Sequence, residues 1–160
     1  MNLVEVVGIR LDDAGNAPML ILQEVDAPAR KLEIWIGAVE AGAIAFAEQG
    51  ITPARPLTHD LALNLLTAAG VSVVSVSVTD IQDSIFLAEI ELSNGQRVSA
   101  RPSDAVAIAL RASVSIFVAE HVLAVAGTVE AVQPISQEED LEAFRSFLED
   151  LNPEDFEKDA

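Results

Sequence analysis

The stretch VSVVSVSVTDIQDSIFLAEIELSNGQRVSA, residues 71–100, contains three runs that are typical of strands. Residues 71–78 alternate between apolar and polar side chains, which is the period of a strand with one buried face. Residues 85–92 and 96–100 form a predicted hairpin, because the Asn-Gly pair at 94–95 favours a tight turn. The stretch therefore predicts three consecutive strands.

The residues that follow this stretch predict a helix, a short strand and a second helix. Pro102–Arg111 is the first helix, since proline is accepted in a first helical turn. Ser115–Ala119 predicts the strand, and Glu120–Ala126 predicts a short helix that Gly127 ends.

The residues before this stretch predict the same order of elements, three strands followed by helices. The predicted strands cover residues 4–9, 18–25 and 31–37. The segment 38–49 is rich in alanine and predicts a helix that Gly50 ends. A further helix is predicted to begin with Thr58 as its N-cap and to end at Gly70.

The repeated order predicts an α+β fold with an internal duplication of a βββαα unit, at about residues 3–70 and 71–127. IGAVEAGAIA at 36–45 aligns with ARPSDAVAIA at 100–109, matching three alanines and one isoleucine. This alignment sets Glu40 opposite Asp104. The alternative is a chance similarity between two alanine-rich helices.

The composition favours one domain with an aliphatic core. The 160 residues are 51% hydrophobic and only 4% aromatic. The absence of cysteine excludes disulfides and thiolate zinc sites. The amino terminus lacks the pattern of a signal peptide, and no apolar stretch reaches the roughly 18 residues that would span a bilayer. We therefore expect a cytoplasmic protein.

The net charge of −17 argues against a simple nucleic-acid binder. Residues 1–132 carry 16 acids against 7 lysines and arginines, a net of −9, and residues 133–160 carry 10 against 2, a net of −8. Such a chain repels phosphate backbones, whereas nucleic-acid binders normally present a basic face. A nuclease would need a metal ion or a local cluster of arginines.

The charge and the apolar pattern divide the chain into a domain at 1–132 and an acidic segment at 133–160. Ser136 can cap a helix in that segment. Apolar side chains recur there at helical spacing: Leu141, Phe144, Phe147, Leu148 and Leu151. This amphipathic helix either packs on the domain or binds a partner, and the last nine residues are expected to be frayed.

Two clusters of polar residues could carry chemistry. In RPLTHD, residues 55–60, His59 and Asp60 fall in the first turn of a predicted helix, where the helix dipole favours a neutral histidine. Such a histidine can act as a general base, or the pair can simply lie at the surface and satisfy the dipole. His121, near the start of a short helix, is expected to be a surface residue.

The second cluster is RPSD, residues 101–104, followed by Arg111. With Pro102 as the first helical residue, Asp104 is the third, and Glu40 is the third residue of its own helix. Each carboxylate can satisfy backbone N–H groups at a helix start, which is a structural role. If Glu40, Asp60 and Asp104 converge, they could instead hold Mg²⁺ or Mn²⁺.

Three segments resemble the signature blocks of the bifunctional nuclease domain family, namely IWIGAVEAGAIA at 34–45, RPLTHDL at 55–61 and ARPSDAVAIALR at 100–111. The resemblance covers roughly residues 3–127. It implies an α+β fold with a mixed sheet, action on DNA and RNA, and an oligomer. The family residues carried over are Glu40, Thr58, His59, Asp60, Arg101, Ser103 and Asp104. Ser99 departs from the family, which commonly has aspartate at this position.

Two main hypotheses follow from the residues and the resemblance. In the first, the protein is a metal-assisted phosphodiester hydrolase with His59 as base. Its phosphate would be held by Arg55 or Arg101, with Thr58, Ser103 and Arg111 as further substrate contacts. In the second, the protein is a regulatory or assembly module that binds a basic partner or a second subunit through its acidic surface and C-terminal helix. A weaker third is a small-ligand sensor that uses Arg101 and Arg111.

Overall fold

A computed structural model describes residues 1–26, 29–129, 142, 145 and 146. These residues form seven strands and four helices. In chain order the elements are β1 Asn2–Leu11, β2 Pro18–Glu24, β3 Lys31–Trp35, α1 Ala38–Glu48, α2 Thr58–Ala68, β4 Val73–Gln82, β5 Ile85–Leu92, β6 Arg97–Ala100, α3 Pro102–Ala112, β7 Ser115–Val118 and α4 Glu120–Ala126. Apart from its three isolated positions, the predicted C-terminal helix lies outside the described residues.

The seven strands form one sheet in the order β3-β2-β1-β7-β4-β5-β6. Strand β7 pairs parallel with β4 and antiparallel with β1, and the other neighbours pair antiparallel. The short β7 therefore joins two antiparallel three-stranded units into a mixed sheet. The predicted α+β fold is confirmed.

The core is aliphatic, as the composition predicts. The most deeply buried large side chains are leucines, valines and one isoleucine, among them Leu20, Leu22, Leu32, Ile44 and Val118. Helix α3 is the most deeply packed helix, since every residue from Ala105 to Ala109 is buried. Its alanines allow α3 to approach both α1 and the sheet closely.

The internal duplication is not confirmed. The first half has the order βββαα, whereas β7 separates α3 from α4 in the second half and has no counterpart between α1 and α2. The predicted strand at 71–78 also continues to Gln82. There Asp83 and Ser84, both with positive φ, form a two-residue turn into β5.

The described helices are all too short to cross a membrane as apolar spans. The longest have 11 residues, and a bilayer needs about 20.

Helix α3 ends at a residue whose backbone conformation favours glycine. Ser113 has φ 54 and ψ 44, in the left-handed region, where a Cβ costs energy. We expect Ser113→Gly to raise the free energy of unfolding by about 0.5–1 kcal/mol, as measured by urea denaturation. Ser99→Gly in β6 is the control and is expected to lower it by a similar amount. A loss at both positions would contradict this account of Ser113.

Candidate functional site

Three helix starts each carry a carboxylate at the third helical position. Glu40, Asp60 and Asp104 are the third residues of α1, α2 and α3, as the sequence predicts for Glu40 and Asp104. Helix α3 packs against both α1 and α2, so these first turns belong to one helical layer.

One continuous network connects Glu40, Arg101, Asp104 and His59. Arg101 Nη2 lies 2.9 Å from Glu40 Oε1 and 3.1 Å from Asp104 Oδ1, and Arg101 Nε donates to Asp104 Oδ2 at 2.7 Å. On the other side, His59 Nε2 lies 3.0 Å from Asp104 Oδ1. The structure therefore brings together four residues that the sequence singles out in three separate segments.

A glycine allows Glu40 to take this position. A Cβ at Gly37 would clash with Glu40 Oε2, so any larger residue would displace the carboxylate. Gly37 is the N-cap of α1 and provides no side-chain cap. Because glycine has no side chain, the Glu40 carboxylate has room to lie beside Arg101.

The network is exposed to solvent at Arg101 and mostly buried at His59. The Arg101 side chain is 66% exposed, whereas that of His59 is 13% exposed. Burial raises the pKa of Asp104, but hydrogen bonds from Arg101 and His59 outweigh it and hold the pKa of this carboxyl below its ordinary value. Hydrogen bonding to Asp104 in turn raises the pKa of Arg101. Asp104 is thus ionised between two donors.

Asp60 belongs to a second contact and does not join the network. Its Oδ1 accepts from Arg111 Nε at 2.8 Å, and its Oδ2 accepts from the Leu57 backbone N–H at 2.8 Å. Arg111 Nη1 also donates to the Ala107 carbonyl, and the Arg111 side chain is only 9% exposed. This pair ties α2 to α3 and fixes the helical turn that carries His59.

The prediction that Thr58 is the N-cap of α2 is wrong by one residue. The N-cap is Leu57, and Thr58 is the first helical residue. The Asp60 carboxylate accepts from the Leu57 N–H, which is the part of a capping box that the third helical residue supplies. Leucine has no side-chain oxygen, so α2 has no side-chain cap on the N–H groups of its first turn.

The remaining predicted substrate contacts are dispersed. Ser103 is buried and Thr58 is exposed. Arg55 is exposed in the loop before α2 and makes no ion pair with the described residues. Ser99 is exposed in β6, opposite Glu89. His121 is 61% exposed beside Asp80, which agrees with its expected surface role.

The carboxylates predicted to hold a metal face arginines. Glu40 and Asp104 share Arg101, and Asp60 faces Arg111. Over residues 1–26 and 29–129, no group of three or more histidines and acids is placed to hold a metal ion. Carboxylate oxygens are suitable ligands for Mg²⁺ or Mn²⁺, but here each of the three carboxylates already pairs with a guanidinium. The arrangement does not fit a divalent cation, and we derive no reaction step through one.

A groove that the sequence analysis missed lies next to Arg101. It has a volume of about 420 Å³, and its lining includes Trp35, Gly37, Ile85, Phe86, Arg101 and Ser103. The alternation in KLEIW is the signal that could have found it, because a buried Ile34 places Trp35 on the other face of β3.

Sequence reasoning also missed a buried ion-pair network near β2. Glu24 is 5% exposed and accepts from Arg30 Nε at 2.8 Å and from Arg30 Nη2 at 2.9 Å. Arg30 also donates twice to Glu120, which accepts from Asn2 as well. These residues join β1, β2 and α4 and lie apart from the His59 network in the chain.

The fold and the network define the chain as an α+β domain with a compact acid–base cluster at three helix starts. A family model described as "Bifunctional nuclease domain" matches residues 20–131. The chain belongs to this family. It is also similar to two proteins from two strains of Mycobacterium tuberculosis, each 45% identical over 162 residues and covering 98% of both chains, and both are described as uncharacterized.

Proposed function

We propose that the protein hydrolyses phosphodiester bonds in nucleic acid at the cluster of Glu40, His59, Arg101 and Asp104. The observation that carries the proposal is the His59–Asp104 contact at 3.0 Å, next to an exposed arginine. Membership of the bifunctional nuclease domain family supports the class of reaction. The individual roles follow from the chemistry of the four side chains.

His59 is the general base in this proposal. An ionised carboxylate can only accept hydrogen bonds, so the Nε2 that faces Asp104 carries the proton. The lone pair of Nδ1 is then available to take a proton from the attacking water. As the water oxygen bonds to phosphorus, the P–O ester bond breaks and the leaving alkoxide takes a proton from solvent. Asp104 is the positioning residue that holds this tautomer.

Arg101 holds the phosphate. Its Nε and Nη2 bind Asp104 and Glu40, and its Nη1 has no partner among the described residues. A guanidinium N–H that no described residue accepts can donate to a phosphate oxygen and stabilise the charge that grows as water attacks phosphorus. Glu40 then acts as a second anchor for the guanidinium. The Asp60–Arg111 pair positions the turn of α2 that carries His59.

The test is a cleavage assay on end-labelled single- and double-stranded DNA and RNA, with Mg²⁺, with Mn²⁺ and with chelator. We expect cleavage by the wild type and none by a Glu40→Gln/Asp104→Asn variant prepared identically. Activity that survives in chelator would agree with chemistry on the side chains alone, and activity only with a cation would overturn the conclusion that the cluster does not fit one. Equal cleavage by the two preparations, or none by either, would refute the site.

A second candidate function is an assembly module, and helix α2 favours it. This helix has no fully buried residue, and Leu61 and Leu65 lie one turn apart with 51% and 63% of their surfaces exposed. Two acidic copies could meet along such an uncharged stripe without repulsion. We expect light scattering to detect an oligomer that Leu65→Glu dissociates. A wild-type monomer at all concentrations would argue against it.

A further inference from the structure

The groove beside Arg101 brings together strands that are remote from each other in the sheet. Trp35 ends β3, and Ile85 and Phe86 begin β5, with four strands between them in the sheet order. In a flat sheet those strands would lie roughly 24 Å apart, at about 4.8 Å for each neighbour. The sheet must therefore curl to bring the ends of β3 and β5 together. The groove forms only when all the strands between them are in place.

The walls of the groove include several large apolar side chains, and some of these are exposed to solvent. Trp35 is 60% exposed and Ile85 is 65% exposed, and Phe86 lies between the groove and the core. Exposed large apolar side chains that gather around one concavity mark a binding site more often than scattered ones do. A tryptophan ring at such a place offers a flat surface for stacking.

Arg101 connects this apolar groove to the catalytic cluster. It lines the groove and is at the same time the residue bound to Glu40 and Asp104. A ligand that fills the groove with a flat ring would therefore bring any anionic group beside that ring to the Arg101 guanidinium. A nucleobase attached to a phosphate has this combination of parts.

We propose that the groove binds an unpaired nucleobase on Trp35 and Phe86, and that the substrate is single-stranded nucleic acid. The inference rests on the proposed function for the reaction and on the groove for the substrate. In a duplex each base is stacked and paired, so its faces are not available to an aromatic side chain. Stacking also explains how a chain with a net charge of −17 could hold nucleic acid, since part of the affinity then comes from the bases.

Trp35 is the only tryptophan of the chain, so its fluorescence reports on the groove alone. The probe is a short single-stranded oligonucleotide without self-complementarity, added in chelator to the His59→Gln variant so that cleavage is suppressed. We expect saturable quenching of Trp35 fluorescence by the single strand and at least tenfold weaker quenching by the same sequence as a duplex. Quenching by the duplex at equal concentration, or no quenching, would overturn the proposal.

Variants test the ring itself with a labelled oligonucleotide and fluorescence polarisation. Trp35→Leu is expected to weaken binding on the order of tenfold, and Trp35→Phe to retain most of the affinity. Val125→Ala, an exposed apolar residue of α4, is the control and should bind as the wild type does. Unchanged binding by Trp35→Leu would remove the groove from recognition, and a mononucleotide that binds as tightly as the oligonucleotide would assign the groove to a free nucleotide.

Two results separate the stacking groove from the hydrolase. Cleavage by the wild type with no response of Trp35 would leave the hydrolase in place and remove the stacking groove. Quenching and polarisation changes without cleavage under any condition would leave a single-strand binding groove and remove the hydrolase.

Discussion

Replacing Arg30 with methionine is expected to lower the free energy of unfolding, and this is the largest stability effect that we predict. Arg30 makes a two-point contact with the buried Glu24 and another with Glu120. Methionine replaces much of the apolar volume but leaves the Glu24 carboxylate buried without its ionic partner. Urea denaturation of the two proteins at neutral pH measures the difference.

Two controls separate the buried charge from ion pairing in general. Arg97→Met removes an exposed arginine whose nearest contact to Glu89 is 3.9 Å, and it should change stability by less than about 1 kcal/mol. A Glu24→Leu/Arg30→Met double variant removes the buried carboxylate together with its partner and should recover much of the loss. If Arg30→Met and Arg97→Met were equally mild, Arg30 would not be compensating a buried charge.

The same network predicts how stability depends on pH. Hydrogen bonds from Arg30 lower the pKa of Glu24 and lower that of Glu120 to about 2, against an ordinary value of 4.5. Carboxyls with a lowered pKa stabilise the folded state above pH 4.5, and that stabilisation is lost as the pH falls toward 2. The gap between wild type and Arg30→Met should therefore narrow in acid, where Glu24 is protonated. A gap that is constant from pH 7 to about 3 would contradict the assignment.

His59→Gln is expected to lower kcat for cleavage by about 10²–10⁴-fold, the largest functional effect that we predict. Glutamine can still donate a hydrogen bond to Asp104, but it cannot take a proton from water. The substrate-binding side chains remain, so KM should change much less than kcat. Single-turnover and steady-state assays on the best substrate measure both.

The chain offers a matched control for this variant. His121 also faces a carboxylate, with Nε2 3.1 Å from Asp80 Oδ1, but this pair is exposed and shares no residue with the cluster. His121→Gln should leave cleavage within about twofold of the wild type. Equal losses in His59→Gln and His121→Gln, or none in either, would mean that His59 is not the base.

Local patterns were reliable guides to the elements and to the residues of the cluster. The Asn94-Gly95 turn and Gly50 mark boundaries through backbone preferences that need no distant partner. Helix starts depend on only a few neighbouring residues, so Glu40 and Asp104 fall at the third helical position as predicted. Thr58 shows the limit, because α2 begins one residue earlier than predicted, with Leu57 and not Thr58 at its N-cap.

Local patterns could not predict which charged side chains pair with each other. A helical wheel places Arg111 on the same face as Asp104, but its guanidinium reaches across to Asp60, 51 residues earlier in the chain. Arg30 pairs with Glu120 over 90 residues. The partner of each arginine depends on which segments of the chain pack together and how closely they approach.

The sequence by itself determined the order of the elements, the aliphatic core and the membership of the bifunctional nuclease domain family, because hydrophobic period, turn residues and motif spacing are all local properties of the chain. Only the tertiary structure decided that Glu40, His59, Arg101 and Asp104 form one network, that Asp60 is bound elsewhere, and that Trp35 and Arg101 line one groove. The reason is physical: hydrogen bonds and ion pairs act over about 3–4 Å, so they are set by the packing of segments that are distant in the chain.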